Sequence, residues 1–190
     1  MASHKTAGLI RLFLDQATEI NGARILEVGS PTWPWESIRD CFPGCREFIS
    51  VDLQQRDRTD FICNAENLVE FFGPTAFDLI ISLFTIEHVE NWKVAISHFK
   101  NVCKPGGSIF IATCTQQFPY HDSFDAWRFE VQDIQEIFSD CLLEFVGIFP
   151  PDLKYTPGNF IYAKVKKPLD FMERDLSEYP LFNINHGRYI

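Results

Sequence analysis

The sequence predicts one α/β domain built on a mostly parallel sheet with helices on both faces. Three observations carry this reading. Short apolar runs alternate with stretches of helical periodicity along most of the chain. Two of those runs, 77–83 and 108–114, are almost continuously apolar, as strands covered on both faces must be. A length of 190 residues, 46% of them hydrophobic, can fill one core but not two comfortable ones.

Taken in order, Leu9, Ile10, Phe13, Leu14, Ala17 and Ile20 recur at helical spacing and predict an amphipathic leader over 1–22, ended by the turn pair Asn21-Gly22. Residues 24–29 read as a first strand stopped by Gly29, and Pro34 suits the first turn of a following helix. Glu47 to Val51 is a second strand closing on Asp52, and 60–64 a short third one before a helix over 66–72. So few residues separate the second and third strands that a normal crossover helix cannot fit, and the sheet is expected to be shortened there. Phe77 to Leu83 is the central strand. Trp92, Ile96, Phe99 and Cys103 then share one helical face, and Lys104-Pro105-Gly106-Gly107 ends the helix before the strand Ser108 to Cys114. An irregular stretch from Thr115 to Arg128 leads to a helix with Val131, Ile134, Ile137 and Phe138 on one face, and to strands near 142–149 and 159–165. Residues 23–165 therefore form the core. Residues 166–190 are a polar extension with scattered aromatics and no assignable element.

Nineteen phenylalanines, each worth roughly 2–3 kcal/mol when buried, exclude disorder. A formal charge of -9 with scattered Lys and Arg argues against bulk nucleic acid as a partner. No stretch of 18 apolar residues could span a bilayer, and Arg11 and Asp15 interrupt any signal-peptide core, so a cytoplasmic protein is expected. Cys41, Cys45, Cys63, Cys103, Cys114 and Cys141 read as buried free thiols, and no metal site is expected.

In a sheet of this kind the ligand crevice lies beyond the carboxyl ends of the strands. Gly29, Asp52, Asn64, Ser82 with Leu83, and Cys114 close the five successive strands and are the candidates to line it. Asp52 follows Gly29 by 23 residues, close to the spacing at which an acid accepts hydrogen bonds from a ribose diol. The loop Gly29-Ser30-Pro31-Thr32-Trp33 lacks the further glycines of a dinucleotide fingerprint, and Pro31 removes a backbone donor that a pyrophosphate would use. A nucleoside without phosphate fits better.

These segments resemble the class I S-adenosylmethionine-dependent methyltransferases, particularly the type 11 group, over roughly residues 23–145. The matching pieces are Ile25-Leu26-Glu27-Val28-Gly29, Val51-Asp52-Leu53, Cys63-Asn64-Ala65, Phe77-Asp78-Leu79-Ile80-Ile81-Ser82, Ile86-Glu87-His88-Val89 and Lys104-Pro105-Gly106-Gly107. The resemblance implies a Rossmann-like sheet of seven strands, the last antiparallel, with S-adenosyl-L-methionine as cofactor. By it, Glu27, Gly29 and Ser30 border the methionine half, Asp52 holds the ribose, Leu53 packs on the adenine, and Asn64 and Ala65 face its edge, with Ser82 and Leu83 completing the crevice. The departure is the glycine-rich loop, where this chain places Ser30, Pro31 and Trp33.

The resemblance extends to Tyr120-His121-Asp122-Ser123-Phe124-Asp125-Ala126-Trp127-Arg128, which implies acceptor contacts from Tyr120, Asp122, Trp127 and Arg128. His88 and His121 are the two candidate bases, because imidazole titrates near neutral pH. The function expected is in-line methyl transfer to a small-molecule, sugar or biosynthetic-intermediate acceptor. The alternative is a non-catalytic binding or partner subunit with a degenerate cofactor loop. A nicotinamide oxidoreductase is disfavoured by the same loop. Association as a homodimer or with a partner protein stays open, as does the role of the extension.

Overall fold

The computed structural model describes residues 20–30, 38–116, 118, 125–149 and 160–190. Its strands are β1 (Arg24–Val28), β2 (Glu47–Asp52), β3 (Phe61–Ile62), β4 (Phe77–Leu83), β5 (Cys103–Cys114), β6 (Trp127–Arg128), β7 (Leu142–Phe149), β8 (Phe160–Lys166), β9 (Phe182–Asn183) and β10 (Arg188–Tyr189). Its α-helices are α1 (Leu68–Phe72), α2 (Trp92–Val102) and α3 (Val131–Ile137). The leader helix and the helix expected after Trp33 lie outside the described residues.

Seven strands form the main sheet in the order β3-β2-β1-β4-β5-β8-β7. The neighbours from β3 to β5 pair parallel, while β8 runs antiparallel between β5 and β7. This is the Rossmann-like arrangement the sequence predicts, with its last strand reversed. Side chains alternate across the sheet, so β1 sends Leu26 and Val28 to one core and Ile25 to another. The larger core is covered by α1, α2 and α3, and Trp92 at its centre meets Trp127, Phe129 and Tyr179 edge-on. On the opposite face Ile38 and Phe42, flanking a 3-10 turn at Arg39–Cys41, pack on Ile25, Phe48 and Phe110.

The short link between β2 and β3 contains no helix, as expected, and β3 shrinks to two residues paired with Val51 and Asp52. The helix expected over 66–72 begins as a 3-10 turn, Ala65–Asn67, before α1. One boundary needs correction. β5 begins at Cys103 rather than Ser108, because the chain pairs with Phe77 as soon as α2 ends and takes up Lys104-Pro105-Gly106-Gly107 through a register shift. Gly107 is needed in that approach, since a Cβ there would lie 2.9 Å from the Asp78 carbonyl oxygen.

The extension is part of the fold rather than a detached polar tail. Leu176 and Leu181 are buried in the main core, and β9 and β10 form a hairpin that adds to β6 as a second, three-stranded sheet. Tyr179 donates its hydroxyl to Asp133 Oδ1 at 2.8 Å, tying the extension to the capped start of α3. The six cysteines are free thiols, but only Cys63, Cys103 and Cys114 are buried; Cys41, Cys45 and Cys141 are half-buried, because they sit where chain segments leave the core. No helix among the described residues is long and apolar enough to cross a membrane.

Candidate cofactor and acceptor site

The strand order reverses between β1 and β4, and ligands of open α/β sheets bind beyond the carboxyl ends at that reversal. Gly29 turns the chain out of β1 with φ +91°, and a Cβ built there would sit 1.9 Å from Thr85 Oγ1. Only glycine satisfies both the left-handed backbone and the close approach. The Thr85 hydroxyl lies 3.1 Å from both the Val28 and Leu83 carbonyl oxygens, so it staples the end of β1 to the end of β4. Between them Phe84 also has a left-handed backbone, φ +52°, held by its N–H bond to the Ala112 carbonyl at 2.8 Å. Such backbone is uncommon for a bulky side chain and collects at sites of function.

Ser30 and Ser82 project from these same ends. Both are buried, and neither hydroxyl has a hydrogen-bond partner among the described residues. An unsatisfied buried hydroxyl costs about 1–3 kcal/mol, which a polar ligand between β1 and β4 would recover. One position earlier, register sets Glu27 between Ser50 of β2 and Ile81 of β4. Its carboxylate accepts the Ser50 hydroxyl at 2.6 Å. Burial pushes the Glu27 carboxyl up to about 7; the Ser50 bond and Arg39 oppose this, while Asp60 and Asp52 add to it. Arg39 pairs in turn with Asp60, which accepts the Ser50 N–H at 2.8 Å.

Asp52 closes β2 with its carboxylate turned toward the following loop, where Oδ1 accepts the Gln54 N–H at 2.9 Å and Oδ2 lies 3.3 Å from Arg56 Nε. Leu53 is 66% exposed and Ile62, at the end of neighbouring β3, is 59% exposed. Two uncovered apolar side chains beside a strand-end carboxylate suit an adenosine. Asn64 caps the turn at Ala65–Asn67 by accepting the Glu66 N–H on Oδ1 at 3.0 Å. The Ala65 N–H opens the turn, where it needs no intrahelical partner.

The acceptor side is built after β4 and β5. His88 ends the 3-10 turn Ile86–His88 and is exposed, whereas Glu87 is fully buried. Glu87 accepts the Thr113 hydroxyl at 3.0 Å and the Cys114 thiol at 3.1 Å. Burial pushes its carboxyl up, and the neighbouring His88 and these donors pull it back. In the sequence Glu87 stands out only as part of the motif Ile86-Glu87-His88-Val89. Trp127 is half-buried, and its indole N–H has no partner among the described residues. Arg128 is fully buried and bound through both terminal nitrogens to Asp125, with Nη2 at 2.7 Å from Oδ2. It therefore anchors this segment from within. Tyr120, His121 and Asp122 lie outside the described residues. An aromatic cluster of Phe84, Phe118 and Phe160 lies at the same carboxyl edge, Phe84 meeting Phe160 at 5.0 Å.

Glu27, Gly29, Ser30, Asp52, Ser82, Leu83 and His88 are thus gathered along one end of β1, β2 and β4, with Leu53, Asn64 and Ala65 at its β3 side. The sequence also contains a Tyr-x-x-x-Lys spacing, Tyr162 to Lys166, of the kind that serves oxidoreductases when it lies on a helix. Here both residues lie on β8, which separates them by about 13 Å at 3.3 Å per residue and prevents joint action.

The sheet order and the residues gathered at its strand ends define a Rossmann-like α/β domain. A family model described as a methyltransferase domain matches residues 1–140, and the chain belongs to that family. S-adenosylmethionine is the cofactor that membership brings, and the unpartnered serines, the Gly29 turn and the Asp52 carboxylate fit it. The chain is 34% identical over 70 residues to a Dictyostelium discoideum protein named ubiquinone biosynthesis O-methyltransferase, mitochondrial. That match covers 37% of this chain and only 22% of the relative's length. Among solved structures, the [4+2]-cyclase SpnF superposes with a TM-score of 0.67 at 14% identity, over 86% of this chain and 81% of its own. A Haemonchus contortus phosphoethanolamine N-methyltransferase 2 in complex with S-adenosyl-L-methionine gives 0.66 at 15% identity, over 87% and 52% of the two chains. At these identities the superpositions establish the shared fold.

Proposed function

We propose that this chain transfers the methyl group of S-adenosylmethionine to a hydroxyl oxygen of a small, partly aromatic acceptor. The observation that carries the reading is the pair of unpartnered buried hydroxyls, Ser30 and Ser82, beside a glycine that nothing larger can replace. The O-methyltransferase relative supports oxygen as nucleophile, and the cluster of Phe84, Phe118 and Phe160 supports an aromatic acceptor. The charge of -9 favours a small molecule over nucleic acid.

When bound, the cofactor supplies an electrophilic sulfonium methyl carbon. Asp52 would receive the ribose hydroxyls, and Leu53 with the Asn64–Ala65 edge would hold the adenine. Ser30 and Ser82 fix the methionine half. An acceptor oxygen held in line with that carbon would take the methyl group, leaving the electron pair of the broken carbon–sulfur bond on sulfur. The proton leaves the hydroxyl for the imidazole of His88 at the crevice mouth. Alignment does most of the work in such a displacement, since the nucleophile must lie about 3 Å from carbon and be shielded from water. His121 is the other candidate base, and Tyr120, Asp122 and Trp127 are candidates for contact with the acceptor, Arg128 acting through its hold on Asp125.

Calorimetric titration with S-adenosylhomocysteine tests the cofactor half directly. Micromolar binding that Asp52→Ala weakens by about 1–3 kcal/mol, the worth of hydrogen bonds to a charged group, is the expected result. A well-folded chain that binds neither S-adenosylhomocysteine nor S-adenosylmethionine refutes the proposal and leaves a non-catalytic partner subunit as the reading.

A further inference from the structure

The extension pairs with the segment that follows β5, and this pairing lies one peptide away from the turn that carries His88. The Ala126 N–H donates to the Glu87 carbonyl at 3.0 Å, and the Ile184 N–H donates to the Ala126 carbonyl at 2.8 Å. Ala126, at the head of the β6 segment, is thus held between the His88 turn and the extension. β9 continues the contact by placing Asn183 opposite Trp127 and Phe182 opposite Arg128. β10 adds a side-chain tie, with Gln116 Nε2 donating to the Tyr189 hydroxyl at 2.7 Å just beyond the end of β5. The hairpin is closed on itself by reciprocal bonds between Leu181 and Ile190, both 3.1 Å.

We infer that the hairpin over residues 181–190 is a positioning element for the acceptor side of the site. It orders Trp127 and the His88 turn without touching the reacting atoms, and this rests on the methyl-transfer reading above. The physical reason is mutual dependence. Strands of two residues are too short to persist alone, and an isolated hairpin is marginal in water. β6 and the hairpin therefore form together, so whatever loosens one loosens the other. The cofactor side is built on β1, β2 and β4, and among the described residues it has no hydrogen bond to the hairpin. Removing the hairpin should separate the two halves of the site energetically.

A chain ending at Leu181 and the point variant Tyr189→Phe, a change at a half-exposed ring that leaves the core intact, test this. Backbone hydrogen exchange at Ala126, Phe129 and His88 is measured alongside calorimetric binding of S-adenosylhomocysteine and methyl transfer to catechol as the probe acceptor. The shortened chain should exchange those three amides at least tenfold faster and raise the catechol KM about tenfold or more. Cofactor Kd should stay within about twofold, while kcat at saturating catechol should fall with the loosened His88 turn. Tyr189→Phe should change exchange and KM in the same direction, by a few fold. Native exchange in the shortened chain, or a KM and cofactor Kd that rise together, overturns the inference. The exchange measurement needs neither cofactor nor acceptor, so a full chain that fails to bind S-adenosylhomocysteine sinks the methyl-transfer reading separately.

Discussion

Replacing Gly29 by alanine puts a methyl group where the Thr85 side chain already lies. Two costs follow from the geometry. An L-residue at φ +91° carries roughly 1–2 kcal/mol of left-handed backbone strain. A Cβ 1.9 Å from Oγ1 and 2.9 Å from both carbons of Thr85 must also displace that side chain, and overpacking of this kind costs about 1–3 kcal/mol. Displacing Thr85 would further break its contacts with the Val28 and Leu83 carbonyls. The expected loss is therefore about 2–5 kcal/mol, read by urea unfolding with the m-value checked for constancy. A second variant separates the contributions. Thr85→Ala removes Oγ1 and Cγ2, but its Cβ stays 2.9 Å from the new methyl, so the double variant should recover part of the steric cost and none of the backbone cost. If Gly29→Ala unfolds within about 0.5 kcal/mol of the native chain, the ends of β1 and β4 relax freely and the staple has no structural weight.

Three further outcomes follow from buried charge. Because the Glu27 carboxyl is raised to about 7 from 4.5, the folded chain binds more protons there than the unfolded chain between those values, and stability falls as pH rises through that window. Its share amounts to about 3 kcal/mol at 1.36 kcal/mol per unit, so Glu27→Gln should flatten the pH profile of urea unfolding by that order, and an unchanged slope would contradict the assignment. Arg128→Leu should cost about 3–5 kcal/mol by leaving Asp125 charged and buried, and replacing Asp125 by Asn in the same chain should recover part of it. Lys100→Met, which strips the buried Asp140 of its ammonium partner at 2.7 Å, should destabilise by a similar amount, measured by the same unfolding assay.

The parallel strands were legible because burial on both faces removes polar residues from 77–83 and 108–114, and because Gly29 and Asp52 stand where such strands must stop. The start of β5 was not, since Pro105-Gly106-Gly107 carries the chemistry of a turn and only pairing with Phe77 makes it extended. The extension was opaque for a related reason. β9 and β10 are two residues each, too short for any period, and they exist through contact with β6. At the site, the residues that end strands lie together at one end of the sheet as their positions implied, whereas the burial of Glu87 and Arg128 was not legible because acids and arginines are seldom fully buried. Their partners, Thr113 with Cys114 and Asp125, become visible only once β5 and the segment after it are brought beside the turn at 86–88.

The missing crossover between β2 and β3 bears on turnover. Among the described residues no helix covers Leu53 and Ile62, so on the proposed reading an adenine seated there would keep one flank in water and contribute little of its area to binding. On that reading, spent cofactor held mainly through its ribose and amino-acid ends would depart quickly, and the slow step of a cycle would shift from product escape toward the encounter with acceptor.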